Sequence, residues 1–350
     1  MRRIKRYHDI IVLLSSEGRF MIIQHAILHI LDTNTGNLIA SQNEMSVDNI
    51  GIHDYIEKLV SKIYGGDVKV GTLKSEDYLQ NMLSIQNFSE MTTALATKLF
   101  DIISESQTIQ PGDMLSFQAS TEDGAIFGLI KLNFVPRYAH AVEYIDDQMV
   151  NNLVLNQAIL PAATQMVDEA ILVNTETKRY HLLEKKHLID GQRVAYFSEK
   201  FLNMTPDTSI KENLQVIKRA VKNVAEKYDS APEHEALAKT QEVIYEGLEA
   251  GSIDTDMIAE KVFSDNVAAK ALYKEKIAEK VFSKSIPVDN TQKYEKKYRV
   301  QKFKLDSGIE ISIPMAVYQD RTKVEFVNNA NGTTSLIIKD IETILNKFTV

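Results

Sequence analysis

The chain has 350 residues, of which 44% are hydrophobic and 25% are charged, and its formal net charge at pH 7 is -8. These values lie in the globular range and allow two or three domains, while the lack of cysteine excludes disulfides, thiolate metal sites and cysteine nucleophiles. No apolar run approaches the roughly 18 residues that cross a bilayer, so we expect a protein that stays in the cytoplasm and makes no membrane contact.

Residues 1–20 are predicted to be a non-native or disordered extension. Their basic start and short apolar run resemble a signal peptide only superficially, because no small-residue cleavage site follows. The codons of Glu17–Phe20 can be written as a purine-rich ribosome-binding site, which would make Met21 the true start. The alternative is a native basic arm. Without the segment the net charge becomes -11, because it holds five Lys/Arg and two Asp/Glu.

Residues 21–204 are predicted to form an α+β domain. Met21–Leu31 is rich in β-branched and apolar residues, which predicts a strand, and a polar turn then leads to a second short strand. The apolar residues between positions 52 and 63 recur every three or four residues, which predicts a helix ending at Gly65. Further helices are predicted over Ser89–Ser104 and Val194–Leu202. Four strands are predicted between them, over Met114–Ala119, Ala125–Val135, Tyr138–Tyr144 and Ala170–Asn174.

Residues 205–284 are predicted to be helical. Ser209 and Glu212 form a capping box, and apolar residues follow at spacings of four and three. Pro232 opens a second helix. The heptapeptide beginning at Ile258 recurs at Ile277, which predicts two similar core-facing helices rather than a solenoid.

Residues 285–350 are predicted to form a small C-terminal β-rich domain with an antiparallel sheet. The strand candidates and a closing helix, in order, are Lys297–Leu305, Ile309–Ile313, Lys323–Val327, Ser335–Ile338 and Ile341–Phe348. The expected fold class is therefore α+β, with a helical middle region.

No constellation predicts catalysis, a cofactor or a metal site. The sequence lacks a phosphate-binding glycine loop, a nucleophile elbow and a zinc-protease motif. His25 and His29 share one side of the first strand near Asp32, but no third ligand follows at a motif-like spacing, so ordinary half-buried histidines are favoured. His181 and His187 lie in a charged stretch and are predicted to be solvated.

One basic stretch is the candidate contact for double-stranded DNA. It holds seven cations against two carboxylates, and aromatic residues lie between them. Lysine and arginine bind phosphate without reading bases, although a solvated, charge-protected edge is an equally good interpretation. The candidate DNA-binding residues are Lys284, Lys293, Lys296, Lys297, Arg299, Lys302 and Lys304.

Several blocks resemble one bacterial family in order and spacing. The C-terminal blocks are Ile286–Asp289, Lys297–Tyr298, Ser307–Ile313, Tyr318–Arg321 and Gly332–Lys339. Gly191–Phe197 resembles the end of the family's first domain, and Ile27–Asp32 resembles its opening strand. These blocks resemble the 37-kDa nucleoid-associated protein family over residues 21–350.

The resemblance implies association with the bacterial nucleoid and self-association, with no reaction. The acidic net charge leaves two modes of nucleoid association open. The protein either contacts DNA directly without sequence preference or acts as an adaptor that binds DNA-bound proteins. The alternative is a nucleic-acid-processing enzyme whose metal site is not visible in the sequence. We also expect a homodimer formed through apolar helix faces in residues 209–283, for which an intramolecular bundle is the competing interpretation.

Overall fold

The computed structural model describes residues 5–7, 10–12, 21–228, 232–281, 284–288 and 291–345. They form two compact units, Met1–Ser209 and Ile210–Val350. Most of the predicted extension, residues 1–20, lies outside the described residues. Within it, strand β1 (Lys5–Tyr7) pairs with β2 (Ile10–Val12).

The first unit is built on a seven-stranded sheet whose neighbouring strands all run antiparallel. The sheet strands are β3 (Met21–Asp32), β4 (Asn37–Ile39), β5 (Lys69–Thr72), β6 (Gly112–Thr121), β7 (Gly124–Asn133), β10 (Glu169–Asn174) and β11 (Arg179–Leu183). Their order across the sheet is β4, β3, β6, β7, β10, β11, β5. The unit's helices are α1 (Ile50–Tyr64), α2 (Tyr78–Met82), α3 (Phe88–Ser104) and a π-helix (Phe197–Leu202).

Helices cover both faces of this sheet. On β7, Phe127 and Leu129 belong to the core that contains α3 and the π-helix. Ile126 and Ile130 belong to the core that contains α1. Strands buried on both faces read as continuous apolar runs, which explains the apolar run Ala125–Ile130 within β7.

Besides the pair β1–β2, two hairpins among the described residues of this unit lie outside the sheet. One pairs β12 (His187–Ile189) with β13 (Gln192–Val194), so the predicted helix over Val194–Leu202 is wrong at its start and begins only at Phe197. The other pairs the long strands β8 (Val135–Ile145) and β9 (Gln148–Ile159). Asp146 and Asp147 form the turn of the long hairpin with positive φ angles of 49° and 62°, as a two-residue hairpin turn of the primed type requires.

The second unit begins with a helical core. Its helices are α4 (Ile210–Tyr228), α5 (Glu233–Glu249), α6 (Thr255–Val262) and α7 (Val267–Ala278), and the short strands β14 (Ser252–Asp254) and β15 (Ser285–Pro287) pair beside them. The apolar stripe of α4 is buried inside this unit, since Ile217, Val221 and Val224 have no exposed surface. The expectation that this stripe forms an intermolecular face is therefore wrong, and the competing interpretation, an intramolecular bundle, is what forms.

The C-terminal part of the second unit contains two hairpins and two short helices. Its elements are α8 (Thr291–Tyr298), β16 (Val300–Lys304), β17 (Glu310–Pro314), α9 (Met315–Tyr318), β18 (Val324–Asn328) and β19 (Thr334–Ile338). β16 pairs with β17, and β18 pairs with β19. The α+β class is thus confirmed.

Three predicted elements in this unit differ from the structure. The second heptapeptide starts only at the end of α7, and its residues 282–283 lie outside the described ones. Lys297 belongs to helix α8 and not to a strand. Residues 341–345 are not helical, while residues 346–348 of the predicted closing helix lie outside the described residues.

Candidate nucleic-acid interface

Helix α8 and strand β16 carry five of the seven predicted cations, Arg299 lies between these two elements, and Lys284 lies just before β15. Lys296 and Lys297 are exposed on the last turn of α8, and Arg299 is exposed in the link to β16. Lys302 is exposed on β16, two residues before Lys304, so both lysines project from the same face of that strand. The described structure therefore places most of these cations on one continuous segment.

The seven cations differ in whether acidic groups neutralise them. Lys284 Nζ lies 3.1 Å from Asp256 Oδ2, and Lys304 Nζ lies 3.7 Å from Glu310 Oε1. Lys293 is half-buried, with its ammonium 5.3 Å from the centre of the Tyr294 ring. These three residues already have local partners.

The other four cations are exposed, and within the described ranges no carboxylate lies at salt-bridge distance from any of them. They are Lys296, Lys297, Arg299 and Lys302. We call them the basic surface. Lys297 Nζ also lies 5.7 Å from the centre of the Tyr298 ring, a contact that leaves its charge unneutralised. The four positive charges of the basic surface are available to a polyanion.

The aromatic residues of the stretch face the protein interior. Tyr294 is buried in the helical core, and Tyr298 packs against the same core, where burial raises the pKa of its hydroxyl. Phe303 lies 6.0 Å from Tyr318 and 5.2 Å from Phe326, measured between ring centres. The side chains that could have stacked on bases are used to attach the segment to its unit.

Two glutamines hold the backbone under the basic surface. The side-chain amide of Gln241 on α5 donates to the carbonyl oxygens of Tyr298 and Val300, at 3.2 and 3.0 Å. Gln301, which is 3% exposed, donates to the carbonyl of Ala238 at 2.9 Å. The junction between α8 and β16 is therefore fixed to α5, and the four cations project from an anchored backbone.

One further cation was missed by the sequence analysis. Arg321 is exposed just after α9, and its charge acts on the Tyr318 hydroxyl, whose ring packs against Phe303 of β16. The block Tyr318–Arg321 contained this residue, but nothing in its spacing indicated that α9 would bring it near β16.

The first-strand histidines are not brought together. His29 Nδ1 accepts from the Ser41 backbone N–H at 3.1 Å, which assigns the proton to Nε2 and lets it donate to Thr92 Oγ1, also at 3.1 Å. Burial lowers the pKa of His29 to about 4. His25 lies 2.8 Å from Glu44 instead, and Asp32 caps its own turn.

The prediction that the later histidines are solvated is wrong. His187 Nε2 lies 2.8 Å from Oε1 of Glu169, a carboxylate with no exposed surface, and the histidine ring packs edge-on against Tyr196. His181 is half-buried and packs edge-on against Tyr64. Both rings serve the packing of β10, β11 and the hairpin after them.

One group of side chains on α1 could hold a metal ion. Ligand atoms of His53, Asp54 and Glu57 lie within 4.8 Å of one another. All three lie within about one turn of helix α1, and Lys58 Nζ lies 4.0 Å from Asp54 Oδ2. Neighbouring positions on a helix produce such groups readily, so the cluster by itself predicts no chemistry.

The basic surface sits within a chain that matches a known family along most of its length. A family model described as nucleoid-associated protein YejK matches residues 27–346. The chain belongs to this family. The match confirms the resemblance found in the sequence blocks and supports a bacterial, nucleoid-associated role. No match was found among curated proteins.

None of the helices in the described ranges is both long enough and apolar enough to cross a bilayer.

Proposed function

We propose that the chain is a non-enzymatic cytoplasmic protein that binds duplex DNA at the nucleoid through the basic surface, without sequence preference. The observation that carries the proposal is the combination of four unneutralised cations on an anchored segment with aromatic side chains turned inward. Cations supply phosphate contacts, whereas base readout needs groups that reach into a groove. Helix α8 is eight residues long, and among the side chains that the structure describes on α8 and β16 the exposed ones are lysines.

The acidic remainder of the chain limits how strong this binding can be. With a formal charge of -8, the protein as a whole is repelled by DNA at long range, and the attraction is confined to the basic surface. We expect weak affinity at physiological salt and a steep rise as salt is lowered, because released counterions provide most of the binding free energy.

An adaptor that binds DNA-bound proteins is the second mode that the net charge favours. Gel shifts of the purified protein with two duplexes of unrelated sequence, from low to moderate salt, separate the modes. Direct contact predicts equal shifts of both duplexes that weaken with salt. The adaptor predicts no shift of either duplex at any salt concentration.

The enzyme alternative is favoured only by the group formed by His53, Asp54 and Glu57. A plasmid incubated with the protein and Mg²⁺ or Mn²⁺ tests it directly. The non-enzymatic proposal predicts intact plasmid under all conditions. If the protein cleaves the plasmid in a metal-dependent way, and Asp54→Asn abolishes the cleavage, the non-enzymatic proposal is wrong and the enzyme alternative takes its place.

We also propose that the protein functions as a homodimer. A dimer places two basic surfaces on one particle, which raises the effective affinity for a long polyanion without any new contact. Sedimentation equilibrium at tens of micromolar tests this proposal, and a pure monomer there would contradict it.

A further inference from the structure

The long hairpin β8–β9 stands apart from the rest of the first unit. Its two strands pair with each other along 11 and 12 residues, and neither pairs with the seven-stranded sheet. Nearly every residue beyond its base is exposed. A two-stranded hairpin alone in water is marginally stable at best, so a hairpin of this length needs something to cover it.

The pairing register divides the hairpin into two unlike faces. Residues directly opposite each other share a face, and successive residues alternate between faces. One face, which we call the apolar face, is formed by the pairs Tyr138 with Leu155, His140 with Leu153, Val142 with Asn151 and Tyr144 with Met149. The opposite face is more polar, since it carries Arg137, Glu143, Asn152, Asn156 and Gln148 beside the less exposed apolar side chains of Ile145, Val150 and Val154.

Large side chains on the apolar face are strongly exposed. Tyr144 is 75% exposed, Tyr138 70%, Leu153 69% and Met149 63%. Together with Val142 and Leu155, these residues present roughly 700 Å² of accessible surface, backbone and tyrosine hydroxyls included, which is on the scale of the largest apolar patch on a typical monomer. A surface of this kind marks a binding site or an aggregation hazard.

We propose that the apolar face is the contact surface between two copies of this chain. This proposal names the surface of the homodimer proposed above and rests on that dimer. Two such faces packed on each other would remove at most roughly 1,400 Å² from water, which reaches the 1,200–2,000 Å² of a standard stable interface. The apolar stripe of α4 cannot supply this contact, because its own unit buries it.

The charges of the hairpin favour one arrangement of the two copies and disfavour DNA as the occupant. Asp146 and Asp147 at the turn and Glu143 outnumber Arg137, so the hairpin is acidic and offers little to a phosphate backbone. In this arrangement the two-fold axis lies between the two faces and crosses the strands at right angles near their middle, so the two hairpins run antiparallel. The acidic turns then lie at opposite ends, while Leu153 lies near the axis.

The test compares charge insertion on the two faces in the full-length protein. Tyr144→Lys with Leu153→Lys places two charges on the apolar face, and Gln148→Lys with Asn152→Lys places the same two charges on the opposite face. All four positions are exposed, so thermal unfolding should change little in either variant. Sedimentation equilibrium should show dimer for wild type and for the control, and at least about 100-fold weaker dimerisation for the apolar-face variant.

Cross-linking supplies an independent readout, because the chain has no cysteine of its own. Leu153→Cys should give a covalent dimer with a short bismaleimide, and Asn152→Cys should remain monomeric in denaturing gels. If wild type is a monomer, the homodimer and this surface are both wrong. If wild type is a dimer that the apolar-face variant leaves intact, the homodimer stands and this surface is wrong.

Discussion

Gly128 is predicted to be a position in the central sheet that cannot accept a side chain unless its neighbours shift. It lies on β7 directly opposite Phe117 of β6, and the Phe117 ring, which has no exposed surface, covers it. A Cβ atom added at Gly128 would lie 2.1 Å from Cζ of that ring. Because the ring is enclosed by the core that contains α1, it cannot move away into solvent.

We therefore expect Gly128→Ala to cost about 3 kcal/mol of unfolding free energy, at the upper end of what overpacking usually costs. In a unit of this size that loss corresponds to a fall in melting temperature of roughly 6–12 °C. Urea unfolding followed by far-UV circular dichroism measures the loss. Amide hydrogen exchange in β6 and β7 assigns it to the first unit.

A double-mutant cycle tests whether the Phe117 ring is what excludes a side chain at Gly128. Phe117→Leu removes the ring atoms that the new methyl group would meet, so the double variant should cost at least about 1 kcal/mol less than the two single variants added together. Additive costs, or a Gly128→Ala loss below about 0.5 kcal/mol, would show that the ring does not restrict this position.

Three further outcomes follow from buried groups. Burial is the larger cause, and the charge of Asp32 the smaller one, that raises the pKa of Asp113 to about 7. Asp113 therefore takes up a proton on folding, and the free energy of unfolding falls as pH rises from about 4 to 7. In urea titrations the free energy of unfolding of Asp113→Asn should exceed that of wild type by about 2–4 kcal/mol at pH 8 and by little near pH 4, and an equal difference at both pH values would contradict the raised pKa. Ile217→Ala should lower the free energy of unfolding by about 2–5 kcal/mol without changing the sedimenting mass, whereas dissociation of an otherwise stable dimer would make α4 the interface. Gln301→Leu should cost about 0.5–1.5 kcal/mol, since it removes the side-chain donor to the Ala238 carbonyl while that carbonyl keeps its partner within helix α5, and a neutral result in thermal unfolding would mean that this bond does not hold β16 to α5.

The sequence predicted elements well where one face or both faces are buried. The spacing of Ile217, Val221 and Val224 predicts α4, and the continuous apolar run of β7 predicts a buried strand. What the stripe on α4 packs against could not be predicted, because the same periodicity suits a bundle within one chain and a contact between chains. Only the positions of α5 and α7 decide between them.

Elements with mixed composition were missed. β9 contains Asn151, Asn152 and Asn156, and asparagine is depleted in strands, so only its partner β8 was predicted. In α8, Tyr294 and Tyr298 lie four residues apart, which is a helical spacing, but the surrounding lysines weaken the apolar pattern. The basic surface could thus be located in the sequence, while the inward direction of its aromatic residues depends on tertiary packing.

The salt dependence of DNA affinity tests the central proposal most directly. Replacing Lys296, Lys297, Arg299 and Lys302 by glutamine removes the basic surface. A control that replaces four exposed lysines of the first unit, Lys58, Lys62, Lys185 and Lys186, changes the net charge equally. If all four cations contact phosphates, the slope of log affinity against log salt should become shallower by roughly 3.6 in the first variant, at about 0.9 per contact, and should stay near the wild-type slope in the control. Equal slopes for wild type and the first variant, with equal affinity, would show that DNA is bound elsewhere.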